Sequence, residues 1–273
     1  MKTLIRIVSF FAALLGFLLP AKAQEGSGFL YMITVGKGDA VVLSTGGANY
    51  LIDCGKAGAW SRVEEALSAL SIDTLDGVFL THTDKDHAGG LKKLAKSEIE
   101  IKNWYASAYW TGGGEHPMEN AAARRGQTVT FLKAGDTVDG LFTVLAPLSF
   151  DSEDEDENSL VMMFSTPCVR ILLTGDMEKK EEKALVRSGA DLTCDVFKVP
   201  NHADDDVLKH IDLKNLGAGT ALISTDPYEK PGTPDPLLVQ MLEEAGMTVY
   251  RTDLAAMGIR VDFSPEGITV TEE

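Results

Sequence analysis

From Phe29 to Asp53 short β-rich runs alternate with glycine and asparagine turns, as in GFLYMITVGKGDAVVLSTGGANYLIDCG, and the pattern predicts three consecutive strands. The period then changes. Within residues 58–71, Val63, Ala66, Leu67 and Leu70 fall at helical spacing. The apolar run DGVFL predicts a buried strand that delivers the chain to THTDKDHAGG at 81–90. Further on, HAGGLKKLAK reads as a helix, IKNWYAS as a strand, and residues 127–146 as two strands around a turn at Gly135 and Asp136. The second half repeats the layout. It has strands near 159–165 and 169–174, a helix from Glu178 to Ser188, a strand at 194–199 and a helix near 204–214. The strand TALIST, a helix from Pro234 to Ala245 and strands at 247–251, 258–263 and 267–271 complete it. Two similar mixed halves predict an α/β fold of sheets packed face to face with helices outside, undivided by any long linker.

Composition supports a large core: the chain has 273 residues, 44% of them hydrophobic and 24% charged. Its N-terminus reads as an export leader, residues 1–23, with Lys2 and Arg6 before an apolar run, then Pro20 and the small-x-small triplet ending at Ala23. That run is too short to span a bilayer, which takes about 20 apolar residues. The expectation is an exported protein, periplasmic or extracellular, with residues 24–273 as one domain and no membrane span after cleavage. Removing Lys2, Arg6 and Lys22 takes 25 basic residues to 22 against 41 acidic ones, and the formal charge from −16 to −19. So acidic a surface repels a polyanion unless cations intervene, and no basic nucleic-acid patch is evident. The three cysteines match no zinc-ribbon spacing; Cys168 with Cys194 as a bridge and three free thiols are both open.

Chemistry concentrates in THTDKDHAGG. His82 and Asp84 are two apart, so in an extended segment both side chains point to one side and can converge on a cation. Asp86 and His87 sit where the chain turns into a helix and can face a second. Gly89 and Gly90 let that helix pack closely. The competing interpretation is a capped turn, since aspartate is a favoured N-cap. Three other apolar runs end in ligand-type residues: Asp53 in LIDCG, Asp176 in LLTGD and His202 in FKVPNHAD. Strand ends feeding one edge of a sheet are where a site can assemble. The acidic run DSEDEDE at 151–157 reads as a solvated loop or as a holder of cations. WYASAYWTGGGEHP at 104–117 reads as packing or as a lid.

The set VGKGDA, LIDCG, THTDKDH, ENSLV, LLTGD and KVPNH, in this order, resembles the metallo-β-lactamase superfamily over about Phe29 to Phe263. Its best match there is the soluble C-terminal domain of ComEC-type competence proteins. The resemblance implies an αββα metallo-β-lactamase sandwich, two mixed β-sheets flanked by helices. It implies one or two divalent metal ions, Zn2+ or Mn2+ with Mg2+ possible, held by His82, Asp84, Asp86, His87, Asp176 and His202. Asp176 would bridge the two ions, with Asp86 and Asp176 central to catalysis by a hydroxide between the metals. Asp53 would fix the histidine loop from behind. Asn158 would stand near the place of a third histidine, and Asp39, Asn201 and Thr233 would lie at the rim. Where the family reads HHGS this chain has NHAD, and where it reads GHP this chain has GTP, so a histidine and a serine suited to phosphate are absent.

The expected activity is metal-dependent phosphodiester hydrolysis on a small-molecule or nucleic-acid substrate, because carboxylate-rich coordination suits hard cations and phosphate. Two alternatives stand beside it: an acyl hydrolase acting on a lactone, thioester or β-lactam, and a metal-binding module without catalysis.

Overall fold

The computed structural model describes residues 25–273, so the expected leader at 1–23 lies outside the described residues. In chain order the strands are β1 (Gly28–Ile33), β2 (Val41–Thr45), β3 (Ala48–Ile52), β4 (Thr74–Leu75), β5 (Gly77–Leu80), β6 (Glu100–Ile101), β7 (Trp104–Ser107) and β8 (Val129–Leu132). Then follow β9 (Thr137–Val138), β10 (Phe142–Ala146), β11 (Val161–Thr166), β12 (Val169–Leu173), β13 (Val196–Lys198), β14 (Thr220–Ile223), β15 (Thr248–Arg251), β16 (Gly258–Ser264) and β17 (Gly267–Glu272). One sheet runs β17-β16-β1-β2-β3-β5-β7-β8 and the other β15-β14-β13-β12-β11-β10-β9, while β4 and β6 form a small pair.

Both faces of the central strands are buried, which explains their nearly unbroken apolar runs. In β1, Leu30 and Met32 enter the layer between the sheets with Phe79, Phe142, Phe164 and Val261. Tyr31 and Ile33 point the other way, toward a layer containing Trp60, Val63 and Leu67 of the helix Trp60–Ala69. The second sheet is covered in the same way by Leu185 of Lys179–Ser188 and by Leu238 and Leu242 of Pro236–Glu244. Helix, sheet, sheet, helix is the layering the sequence predicts. Each sheet is mixed: β3, β5, β7 and β8 run parallel in one, and β12, β13, β14 and β15 in the other. Parallel strands bring their carboxyl ends to one edge, where ligands gather in α/β sheets.

Three local expectations are corrected. HAGGLKKLAK forms two single turns, Lys85–Ala88 and Leu91–Leu94, broken at the glycines. Residues 127–146 hold three short strands rather than two. Residues 204–212 form no helix; only Leu213–Leu216 is helical there. The cause is Glu182, whose carboxylate accepts the backbone N–H groups of Lys209, His210 and Ile211 at 2.8–3.0 Å and so replaces the helical bonds. All three cysteines are free thiols, with Cys54 and Cys194 buried.

Candidate metal centre

β5 is wholly buried and ends where Thr81 and His82 begin the motif. Asp53, at the end of neighbouring β3, is fully buried and organises that start. Its carboxylate accepts the Thr81 N–H at 2.8 Å and the Thr81 hydroxyl at 2.7 Å, and it pairs with His87 Nδ1 at 2.7 Å. The expected supporting role of Asp53 has its geometry here. The turn that follows packs against the Asp53 loop with no space for side chains. A Cβ on Gly90 would meet Cys54 O at 2.3 Å, and one on Gly89 would meet Ala57 N at 2.5 Å.

Three imidazoles share one arrangement. The Thr81 hydroxyl donates to Asp53, so at 3.0 Å it accepts from His82 Nδ1. Nδ1 of His202 donates to the Ser224 carbonyl at 2.7 Å, and that of His87 is taken by Asp53. Each ring therefore turns a bare Nε2 inward. The three Nε2 atoms and Asp176 Oδ1 are buried without a hydrogen-bond partner. Converging unpartnered donor atoms, with every opposite ring nitrogen fixed by an outer partner, fit a metal ion.

Ligand atoms of Asp86, His87, Asp176 and His202 lie within 4.8 Å of one another, as do those of His82, Asp84 and Asp156. Asp176 Oδ2 lies 3.2 Å from His87 Nε2 and 3.0 Å from His202 Nε2. The rings of His82 and His87 are 4.1 Å apart, so the two groups abut. All six residues expected as ligands are thus brought to one centre. Asp84 occupies the N-cap position of Lys85–Ala88, but its side chain makes no capping bond. Its carboxylate is left for the centre, against the capped-turn interpretation.

The electrostatics carry the marks of crowded ligands. Burial opposes charge on His87, but Asp176 and Asp53 outweigh it and hold its pKa well above the imidazole value. Burial likewise opposes charge on Asp176, yet His202 and His87 keep it well below the carboxylate range. Burial and the carboxylates of Asp206, Asp154 and Asp156 push Glu178 up to about 8.

The remaining candidates fall elsewhere. Asn158 is buried, but its amide donates to the carbonyls of Asp151 and Asp154 and accepts the Asp151 N–H. It fastens the acidic loop and leaves Asp156 beside His82, at 3.3 Å. Asp156 is the residue that sequence reasoning missed in the run DSEDEDE. Asn201 donates to Glu178 at 2.9 Å, tying its loop to the one carrying Asp176. The Thr233 hydroxyl donates to Lys230 O within its own loop and is not brought to the centre. Glu155 accepts from the backbone N–H and hydroxyl of both Thr83 and Thr111. It thereby anchors the aromatic segment to the motif. His116 is a buried helix cap that accepts the Met118 N–H.

Lysines complete the centre. Lys37 pairs with Asp86 at 2.6 Å, and buried Lys198 reaches Asp39 at 2.5 Å and Asp176 at 3.6 Å. Lys198 lies within a strand-like apolar run, where sequence alone gives no reason to single it out.

Residues 33–225 match the family model of the metallo-beta-lactamase superfamily. The chain belongs to this superfamily. Among curated relatives it is 27% identical over 258 residues to ComE operon protein 3 of Bacillus subtilis (strain 168), covering 87% of this chain and 33% of that protein. It is 26% identical over 239 residues to competence protein ComA of Neisseria gonorrhoeae, covering 86% and 32%. Both are ComEC-type competence proteins, and the chain spans about a third of their length. The metallo-beta-lactamase fold protein YhfI from Bacillus subtilis superposes with a TM-score of 0.53 at 15% identity, covering 86% of this chain and 99% of that one. That likeness concerns the fold. The chain is a metallo-beta-lactamase-fold, metal-dependent hydrolase-like protein related to ComEC competence proteins. Among the described residues no helix is long and apolar enough to cross a membrane.

Proposed function

We propose that this protein is an exported hydrolase of phosphodiester bonds that works with divalent cations. The observation that carries the reading is the donor set: four aspartates, Asp84, Asp86, Asp156 and Asp176, stand with three histidines in the two ligand groups. Oxygen-rich sites suit hard cations such as Mn2+ and Mg2+, which pair with phosphate, while Zn2+ suits the imidazoles. Cations held there would supply a water of lowered pKa and offset charge on the phosphoryl oxygens.

The chain's own residues do the rest. Asp53, Thr81 and Ser224 hold the three rings so that Nε2 faces the centre. Asp176 is buried between His87 and His202, its Oδ2 3.2 and 3.0 Å from their Nε2 atoms. Lys37 is the cation at the rim. Its side chain is 19% exposed beside Asp86, where it can meet an anionic substrate oxygen. The excess of acid over base elsewhere favours a small phosphodiester over a long duplex. Export rests on the leader pattern at 1–23.

The test is hydrolysis of an aryl phosphodiester by protein supplied with Mn2+, beside a chromogenic lactam and a lactone. Turnover of the phosphodiester, lost in Asp176→Ala, is expected; turnover of the lactone or lactam alone would overturn the reading. Fractionation of cells that express the full chain tests export: mature protein outside the cytoplasm, shortened by the leader, is expected.

A further inference from the structure

We propose that Asp39 and Lys198 are a positioning pair that sets the orientation of Asp176 and His202 from beneath the metal centre. The inference rests on the centre being a metal site, not on the choice of substrate.

Lys198 is 1% exposed and is the sole buried lysine among the described residues. A buried ammonium needs compensating charge and hydrogen-bond acceptors. Lys198 finds acceptors in Asp39 Oδ2 at 2.5 Å and Gly175 O at 2.9 Å, and its charge faces Asp176 Oδ1 at 3.6 Å. Two of these three belong to the loop that carries Asp176. With Oδ1 turned toward the ammonium, Oδ2 lies between the Nε2 atoms of His87 and His202.

Asp39 works on the other side. Its Oδ1 accepts from the Ser224 hydroxyl, and that hydroxyl lies 3.1 Å from His202 Nδ1, whose proton goes to the Ser224 carbonyl. The backbone of Asp39 reaches further: its N–H donates to Asp86 O at 3.3 Å and its carbonyl accepts the Gly55 N–H at 2.8 Å. The preceding Gly38 allows this approach, since a Cβ there would meet Asp86 O at 2.5 Å. One buried pair is thus fastened to the loops bearing Asp53, Asp86, Asp176 and His202. Asp39 groups with Asp53 and His87, but it faces the Nδ1 atoms of His87 and His202, at 4.0 and 3.9 Å, which Asp53 and the Ser224 carbonyl already hold, and not the inward Nε2 atoms. Their effect passes through those ligands.

Removing one charge alone strands the other in the interior, so the informative variant removes both: Asp39→Asn with Lys198→Met. Co2+ is the probe, because its visible absorption reports coordination and its titration gives affinity without any turnover. The double variant is expected to melt cooperatively in the metal-free state and to bind Co2+ about 10–100-fold more weakly, with an altered absorption spectrum, the range found when outer partners of metal ligands are lost. Ser224→Ala, which takes away the hydroxyl between Asp39 and His202 with little change of volume, is expected to weaken Co2+ in the same direction and serves if the double variant does not fold. Variants that take up Co2+ with wild-type affinity and spectrum overturn the positioning role alone. A wild-type protein that takes up no Co2+ overturns the metal site and the positioning role with it.

Discussion

His82 Nε2 lies 3.3 Å from Asp156 Oδ1, so the acidic run at 151–157 reaches the centre rather than only lining the surface. Asp156 is held there by its own loop: Asn158 binds the carbonyls of Asp151 and Asp154, and Asp154 accepts the Asp156 N–H. Asp156→Asn is expected to weaken the His82-side metal by at least about tenfold, as loss of a mere supporting partner already does. Glu153→Gln, at an exposed position of the same run, is expected to leave it unchanged. Titration with Mn2+ checks both; equal affinity in the two variants would return the run to a solvated loop.

Asp53→Ala is expected to destabilise the protein by about 3 kcal/mol, because Thr81 N–H, Thr81 Oγ1 and His87 Nδ1 would lose a buried acceptor together. Denaturant unfolding measures it. A loss well under 1 kcal/mol would mean that the loop is held by something else.

Much of this was legible from the chain because β3, β5, β12 and β13 end in the residues that matter. An apolar run that stops at Asp53, His82 or Asp176, or just short of His202, announces both a strand and a ligand. What escaped reading depends on distant partners. Asp156 is one carboxylate in an acidic run, distinguished only by the Asn158 contacts that fold the loop. Lys198 looks like an outward residue of a short strand until Asp39, far away in the chain, is seen to meet it. The helix expected near 204–214 has adequate local propensity, and only Glu182, brought in from Lys179–Ser188, diverts its N–H groups. The same limit explains Asn158, expected near the ligands but with its amide spent on the backbone of its own loop.

Metal binding and pH are linked with a definite sign. His87 and Glu178 both have pKa values raised in the fold, from 6.5 and 4.5 respectively, Glu178 to about 8. A raised group contributes stability that is complete below its unfolded value and is lost as pH rises through its folded value. The metal-free protein should therefore lose stability from both groups on going from about pH 4.5 to pH 8 and above. A metal requires neutral His87, so the gap in melting temperature between Mn2+-treated and chelator-treated protein should widen over the same range. A gap that narrows with rising pH would contradict this assignment.

Gly90→Ala tests the close packing behind the motif. Its Cβ would press on the Cys54 carbonyl, a backbone atom with nowhere to go, and the expected cost is about 3 kcal/mol with loss of metal affinity. Gly113→Ala, where a Cβ meets nothing within 4 Å, is expected to stay within about 0.5 kcal/mol of the parent protein. Thermal melts of the two variants side by side give the comparison.

The metal assignment rests on the unpartnered Nε2 atoms of His82, His87 and His202 facing a cation. Elemental analysis of the purified protein, before and after chelator and beside His87→Ala, measures that directly. The expected result is at least one divalent ion per chain, removed by chelator together with a fall in melting temperature, and depleted in His87→Ala. A folded, metal-free protein whose melting ignores both chelator and added Mn2+ would contradict the account at its centre.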